Sequence, residues 1–167
     1  MALFNTIPKA SKSLRVLARL LDYPDAELRG NLAALRGALH EERALPPQRL
    51  AELDALMASL ERAEPLEVEA DYVELFDRGR ATSLHLFEHV HGDSRDRGPA
   101  MIDLTKTYEQ PGPVLAYGEL HDFVPVVLEF ASTTEPRQAR ELLDQVAPRL
   151  HPLFTSVQKR AIAHRHL

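Results

Sequence analysis

Apolar residues recur along the chain three and four positions apart, the spacing that places them on one face of an α-helix. Three N-terminal stripes follow this rule: Leu14, Leu17, Ala18 and Leu21; Leu28, Leu32, Leu35 and Leu39; and Leu50, Leu53, Met57 and Leu60. Ser11 or Ser13 is expected to cap the first helix, and Asp25 to open the second. Gly30 and Gly37 should weaken the second helix by about 1 kcal/mol each without ending it.

The same periodicity predicts four further helical regions. One runs from about Leu66 to Asp77 and another from Pro99 to about Tyr108. Asp122 is expected to cap the next, whose buried face comprises Phe123, Val126, Val127 and Phe130. The last helical region begins near Pro136, and Pro148 and Pro152 should kink or split it.

The sequence shows no pattern typical of β-strands, because no segment alternates apolar and polar residues between hairpin turn residues. The chain has 167 residues, enough for one domain with a substantial core. We therefore predict an all-α fold, a single-domain bundle of about seven to eight helices over residues 1–167. The polar stretch Lys159–Leu167 carries no helix stop signal.

Composition narrows the range of functions. The formal net charge is −5 and cysteine is absent, which disfavours nucleic-acid binding and excludes disulfides, thiolate metal sites and a cysteine nucleophile. No apolar run reaches the roughly 20 residues that a transmembrane helix needs, and the first residues lack the features of a secretory signal. We expect a cytoplasmic protein without direct membrane insertion, either monomeric or dimeric.

One central stretch, Tyr72–Leu104, holds the candidate chemistry; it reads YVELFDRGRATSLHLFEHVHGDSRDRGPAMIDL. Its residues 85–89 fit the H-x-x-E-H pattern of a class of zinc peptidases, which predicts His85 and His89 as metal ligands and Glu88 as a base. No third ligand stands in a recognisable motif. A metal-dependent hydrolase is therefore the alternative interpretation, and histidines that cap or hydrogen-bond are the simpler one.

Two Asp-Arg-Gly triplets bracket the histidine-rich part, at residues 77–79 and 96–98. Arginine side chains can clamp phosphate or carboxylate groups, but helix capping with local Asp–Arg pairing explains the triplets equally well. Gly79 is expected to end the preceding helix in a left-handed conformation.

Three segments carry a resemblance to a known family: LARLLDYPD near the N-terminus, the central stretch, and GELHDFVPVVLEF at Gly118–Phe130. Together they are similar to the respiratory nitrate reductase assembly chaperones of the delta-subunit or NarJ type, within the superfamily that includes TorD and DmsD. The resemblance implies a chaperone and not an enzyme, with no cofactor or metal of its own. The resemblance also implies a further C-terminal helix, so a C-terminally shortened form of the domain is expected. A subunit of a permanent complex is a third interpretation.

The partner that the resemblance implies is the N-terminal segment of the apo catalytic (alpha) subunit of nitrate reductase. The chaperone would hold that subunit competent for insertion of molybdenum cofactor and iron–sulfur clusters, and contacts with cofactor-delivery proteins are a further expectation. We expect an apolar groove with an acidic rim at Glu119 and Asp122; the alternative interpretation of Asp122 is a helix cap alone. The candidate peptide-binding residues are Phe76, Arg80, Leu84, Phe87, His89, Met101, Leu104, Tyr108, Glu119, Asp122, Phe123 and Val126.

Overall fold

The fold is a helical bundle, seen in a computed structural model that describes residues 9–86 and 122–164, with side-chain surroundings up to residue 160. The described helices are α1 Ser11–Leu21, α2 Ala26–Gly30, α3 Leu32–Glu42, α4 Pro47–Arg62, α5 Pro65–Tyr72, α6 Val124–Thr133 and α7 Pro136–His164. A π-helical turn, Val73–Asp77, extends α5, and a 3₁₀ turn follows at Arg80–Thr82. The all-α prediction is confirmed over these residues. The predicted helix at 99–108 lies outside them.

Helix α1 stands between two hydrophobic cores. Its residues Leu14, Leu17, Ala18 and Leu21 pack into the main core, which α6, α7, Leu84 and Leu86 complete. On its opposite side, Val16 and Leu20 pack into the N-terminal core, built by α2, α3 and α4 around Leu28, Leu32, Leu39 and Met57. The predicted stripes therefore face the interior, and α1 carries a second buried face that the stripe alone did not predict.

Both ends of α1 are held by side chains from other helices. The backbone N–H groups of Lys12 and Ser13 donate to the Glu42 carboxylate at 2.9 and 2.8 Å. At the other end, the Tyr72 hydroxyl donates to the Leu21 carbonyl at 2.8 Å. These bonds satisfy backbone groups that a helix terminus leaves without an intrahelical partner. The expected cap at Ser11 or Ser13 is wrong: Ala10 precedes the helix, and no side-chain cap from that position is formed.

Two further local predictions need correction. The stripe Leu28–Leu39 is divided at Asn31, because Gly30 ends α2 after a single turn and a half, although Asp25 caps it as predicted by accepting from the Leu28 N–H at 2.9 Å. Helix α7, in contrast, continues through Pro148 and Pro152 and is not split. Both prolines lie on its exposed side, where the missing N–H groups do not disturb packing.

Membrane insertion finds no support among the helices described here. None of those within residues 9–86 and 122–164 has both the length and the apolar character to cross a bilayer.

Candidate functional site

A short antiparallel bridge joins the central stretch to the start of α6. Leu86 N–H donates to the Asp122 carbonyl at 3.0 Å, and Val124 N–H donates to the Leu84 carbonyl at 2.9 Å. The bridge thereby pairs His85 with Phe123. Residues almost forty positions apart in the sequence meet here, next to the main core.

His85 is oriented by two contacts at this bridge. Its ring stacks on Phe123, with centroids 4.9 Å apart and planes at 28°. Its Nδ1 lies 3.5 Å from Asp122 Oδ1, and the Asp122 side chain is fully buried. The buried Asp122 carboxylate and the face of the Phe123 ring together hold the imidazole in place.

Beside His85 opens a cleft of about 400 Å³. We call it the 76–85 cleft; it is lined by Phe76, Asp77, Gly79, Arg80, Ser83 and His85. Its walls combine an aromatic ring, an exposed carboxylate, an exposed guanidinium and an imidazole. Such a mixture of one apolar surface and charges of both signs suits a peptide better than a single small anion.

The cleft wall is supported by helix α5 and its π-helical extension. Tyr72 and Phe76 lie one turn apart, and their rings pack with centroids 4.9 Å apart. Burial, followed by the carboxylates of Asp22 and Asp77, raises the pKa of the Tyr72 phenol well above its ordinary value. Tyr72 therefore stays neutral and keeps the proton that it donates to Leu21.

The sequence profile of the nitrate reductase delta subunit family matches residues 24–162, which include every element around the cleft. The chain belongs to this family. The family resemblance inferred from the three sequence segments is thereby confirmed.

Named relatives within the delta subunit family include three bacterial proteins. The chain is 44% identical over 147 residues to the nitrate reductase molybdenum cofactor assembly chaperone NarJ of Escherichia coli K12, covering 88% of this chain and 62% of that protein. It is 30% identical over 146 residues to a probable chaperone of the same name from Bacillus subtilis, covering 86% of this chain and 77% of the relative. A nitrate reductase-like protein, NarX of Mycobacterium tuberculosis, is 38% identical over 115 residues, covering 68% of this chain and 18% of that protein.

This member of the delta subunit family thus spans about three fifths of the length of the Escherichia coli relatives that it matches.

The predicted binding residues fall into three groups in this family member. Phe76 and Arg80 line the cleft, and Phe123 lies half-buried against His85. Leu84, Asp122 and Val126 are buried, so direct contact with a peptide would require the bridge region to open, and their assignment stays a prediction. Six others lie outside the described residues: Phe87, His89, Met101, Leu104, Tyr108 and Glu119.

Asp122 does not cap α6. Phe123 occupies the N-cap position, and no side chain there caps the helix. Asp122 lies one residue before the cap, where its carbonyl accepts from Leu86 N–H and its carboxylate lies beside His85. Gly79 is not left-handed either: its φ is −175°, an extended value open to any residue. Arg78 pairs with Glu74 at 3.1 Å, one turn earlier, where we expected a local partner in its own triplet.

The hydrolase alternative is not supported. His85 lies in the bridge with Phe123 and not on a helix, whereas the predicted metal site required it on a helix face. The relatives from Escherichia coli and Bacillus subtilis are named as assembly chaperones.

Four cleft residues were absent from the predicted binding set: Asp77, Gly79, Ser83 and His85. Asp77 and Gly79 belong to the first Asp-Arg-Gly triplet, and His85 to the histidine pattern. Both motifs therefore indicated where the cleft lies in the sequence. The roles predicted for their residues were anion clamps, helix caps and metal ligands, not the lining of a cleft. The turn that brings Asp77 and Arg80 into the same cleft cannot be predicted from sequence spacing alone.

A second cavity of about 490 Å³ lies at the opposite end of α1. It is bounded by the start of α1, the end of α6 and the first turns of α7, and it includes Leu14, Ala139, Arg140, Leu143 and Asp144. No predicted binding residue lines it.

Proposed function

We propose that this chain is an assembly chaperone for respiratory nitrate reductase, which binds the N-terminal segment of the apo catalytic subunit and keeps that subunit competent for molybdenum cofactor and iron–sulfur cluster insertion. The observation that carries the proposal is the 44% identity to a molybdenum cofactor assembly chaperone across 88% of the chain. The chaperone acts by binding alone, in the cytoplasm, and it needs no cofactor of its own.

The 76–85 cleft is the surface that we propose for the peptide. Phe76 offers an apolar contact in this cleft of about 400 Å³. Arg80 and Asp77 both line the cleft and provide one charge of each sign, which can fix the direction of a bound peptide. The candidate residues beyond position 86 extend the groove in this proposal.

In the 76–85 cleft, we assign the acidic contact with the peptide to Asp77. Asp77 is exposed, while Asp122 is fully buried and contacts His85. A basic residue of the peptide would therefore meet Asp77, with Glu119 as a further acidic candidate beyond the described residues. Asp122 contributes through the orientation of His85.

Isothermal titration tests this proposal, with a peptide of about 15 residues from the N-terminus of the catalytic subunit and a scrambled peptide of the same composition as a control. We expect saturable binding of the native peptide with a negative heat-capacity change, because apolar surface is buried. Asp77→Asn should weaken binding about two- to fivefold and flatten its dependence on salt, as the loss of one exposed charge pair predicts.

Asp144→Asn provides the matched control. Asp144 is exposed, pairs with Arg140 at 3.9 Å, and precedes Arg160 by about 24 Å along α7, well beyond the screening length of roughly 8–10 Å. It removes the same charge far from the cleft, so affinity should not change. Equal affinity for native and scrambled peptides would refute recognition of the segment, and equal effects of the two variants would remove the cleft from the proposal.

The holding role has its own test. The chain should co-purify with the catalytic subunit when cofactor synthesis is blocked, and it should be absent from the mature, cofactor-loaded reductase. Stoichiometric retention in the mature enzyme would instead favour a permanent structural subunit.

A further inference from the structure

One arginine from the last helix ties together both ends of the connection that forms the cleft wall. Arg160 Nη1 donates to the Leu75 carbonyl at 3.3 Å and to Thr82 Oγ1 at 2.9 Å. Its Nη2 lies 3.6 Å from Glu74 Oε1. Leu75 belongs to the π-helical turn and Thr82 ends the 3₁₀ turn, so a single guanidinium spans the segment between them.

The acceptors of Arg160 are groups that need a donor. The Leu75 carbonyl lies in the last turn before the helical backbone ends, where carbonyls lack intrahelical donors. Thr82 is only 1% exposed, so water cannot readily replace the guanidinium at its hydroxyl. Nη1 of the planar guanidinium donates to both acceptors while Nη2 faces Glu74, whereas a lysine ammonium offers its donors from a single nitrogen at the end of a flexible stem.

Gly79 makes room for this arrangement. A Cβ atom at this position would lie 3.3 Å from Arg160 Nη1 and 3.8 Å from Thr82 Oγ1. The backbone at Gly79 is extended, so its conformation does not require glycine. The close approach of the guanidinium accounts for the missing side chain.

Four of the six residues that line the cleft, Phe76, Asp77, Gly79 and Arg80, lie between the two anchors of Arg160. We propose that Arg160 is a positioning residue for the cleft: it holds residues 77–80 in the conformation that binds the peptide, and it couples that conformation to the placement of α7. The role in binding rests on the proposed function of the cleft. The contacts by which Arg160 holds residues 75–82 are independent of that proposed function.

The first measurement is amide hydrogen exchange of the unliganded protein. Arg160→Gln should speed exchange at residues 75–82 at least tenfold, while exchange in α3 and α4 stays as in the wild type. Lys159→Gln is the matched control, because it removes an adjacent exposed positive charge and should leave residues 75–82 unaffected. Unchanged exchange in Arg160→Gln would overturn the positioning role whether or not the peptide binds.

Titration with the peptide is the second measurement. Arg160→Gln should weaken binding about fivefold or more with a less favourable entropy, because the segment must then be ordered on binding, and Arg160→Lys should recover only part of the loss. Gly79→Ala should weaken binding through the same contact, so the double variant should bind no more weakly than Arg160→Gln alone.

The outcomes separate the two proposals. If the wild type fails to bind the peptide while exchange responds as expected, the proposed recognition is wrong and the structural anchor stands. If the wild type binds and Arg160→Gln binds equally well, the coupling between α7 and the cleft is refuted. Additive effects of the two substitutions would show that Gly79 acts independently of Arg160.

Discussion

Replacing Glu42 by glutamine tests whether α1 is held at its N-terminus by a charge from α3. The two carboxylate oxygens accept from Ser13 N–H at 2.8 Å and from Lys12 N–H at 2.9 Å. Glutamine keeps the shape but turns one acceptor into a donor and removes the negative charge beside the helix N-terminus. Loss of a helix cap costs about 1 kcal/mol, and the lost charge adds up to about 1 kcal/mol.

We therefore expect Glu42→Gln to lower the free energy of unfolding by about 1.5 kcal/mol near pH 7, and the melting temperature by about 3–6 °C for a domain of this size. Urea denaturation followed by circular dichroism measures the difference, with the slope against urea unchanged if the native and unfolded states keep their compactness. Glu41→Gln is the matched control. Glu41 contacts only the exposed Lys12 ammonium in the described structure, at 3.0 Å, so its loss should cost less than about 0.5 kcal/mol.

The effect of Glu42→Gln should also depend on pH. Burial alone would raise the pKa of Glu42, but the N–H groups donated by Ser13 and Lys12 outweigh it and hold the pKa below its usual value of 4.5. A carboxyl group with a lowered pKa stabilises the folded state fully above its unfolded pKa, and this contribution is lost as pH falls through the folded value. The difference between wild type and variant should therefore shrink below about pH 4.5.

Two results would refute this reasoning. One is equal stability of Glu42→Gln and Glu41→Gln near neutral pH. The other is a deficit in Glu42→Gln that persists unchanged after the carboxylate has been protonated.

Two further substitutions test packing and backbone in the N-terminal half by the same urea assay. Met57→Ala should destabilise the protein by about 2–5 kcal/mol, because Met57 is completely buried, whereas its neighbour Leu56, 43% exposed, should tolerate alanine within about 0.5 kcal/mol. Equal losses at both positions would contradict the assigned orientation of α4. Gly37→Ala should stabilise by about 0.5–1 kcal/mol, since the position lies inside α3 with no atom within 4 Å of the added Cβ; a loss of stability would mean that Gly37 has a neighbour outside the described structure.

The helical architecture follows from the sequence wherever a helix and its start depend on neighbouring residues. The stripe from Leu14 to Leu21 predicted α1 and its face toward the main core, and Asp25 predicted the start of α2 through a bond within its own turn. These features depend on residues within one or two helical turns. Local spacing is sufficient for them.

Features that depend on distant residues were missed. Ser13 looked like a cap, but Glu42 supplies that function from 29 positions away. Asp122 looked like a cap as well, and the bridge to Leu86 displaced it. Gly79 looked like a left-handed helix end, whereas its small size serves Arg160 from α7. In each case a tertiary contact overrode a local signal that was chemically reasonable.

The sequence indicated which region holds the candidate site, but it did not predict which side chains meet there. The central stretch was recognised as the region of interest, and Phe76 and Arg80 do line the cleft. The choice between Asp77 and Asp122 as the exposed acid depends on which carboxylate the bridge buries. That choice requires the pairing of His85 with Phe123, which no spacing rule predicts.

The contacts at the two ends of α1 constrain the order in which the chain can fold as it is synthesised. An isolated helix of 11 residues is marginal in water, below the roughly 12–15 residues that such helices need. Its N-terminal acceptor emerges about 30 residues later, and Tyr72 follows the Leu21 carbonyl by 51 positions. The main core closes only when α6 and α7 arrive. Helix α1 is synthesised before the other described helices, but its contacts with the main core form only after α6 and α7 have been made, so full protection of α1 from exchange requires that both have folded.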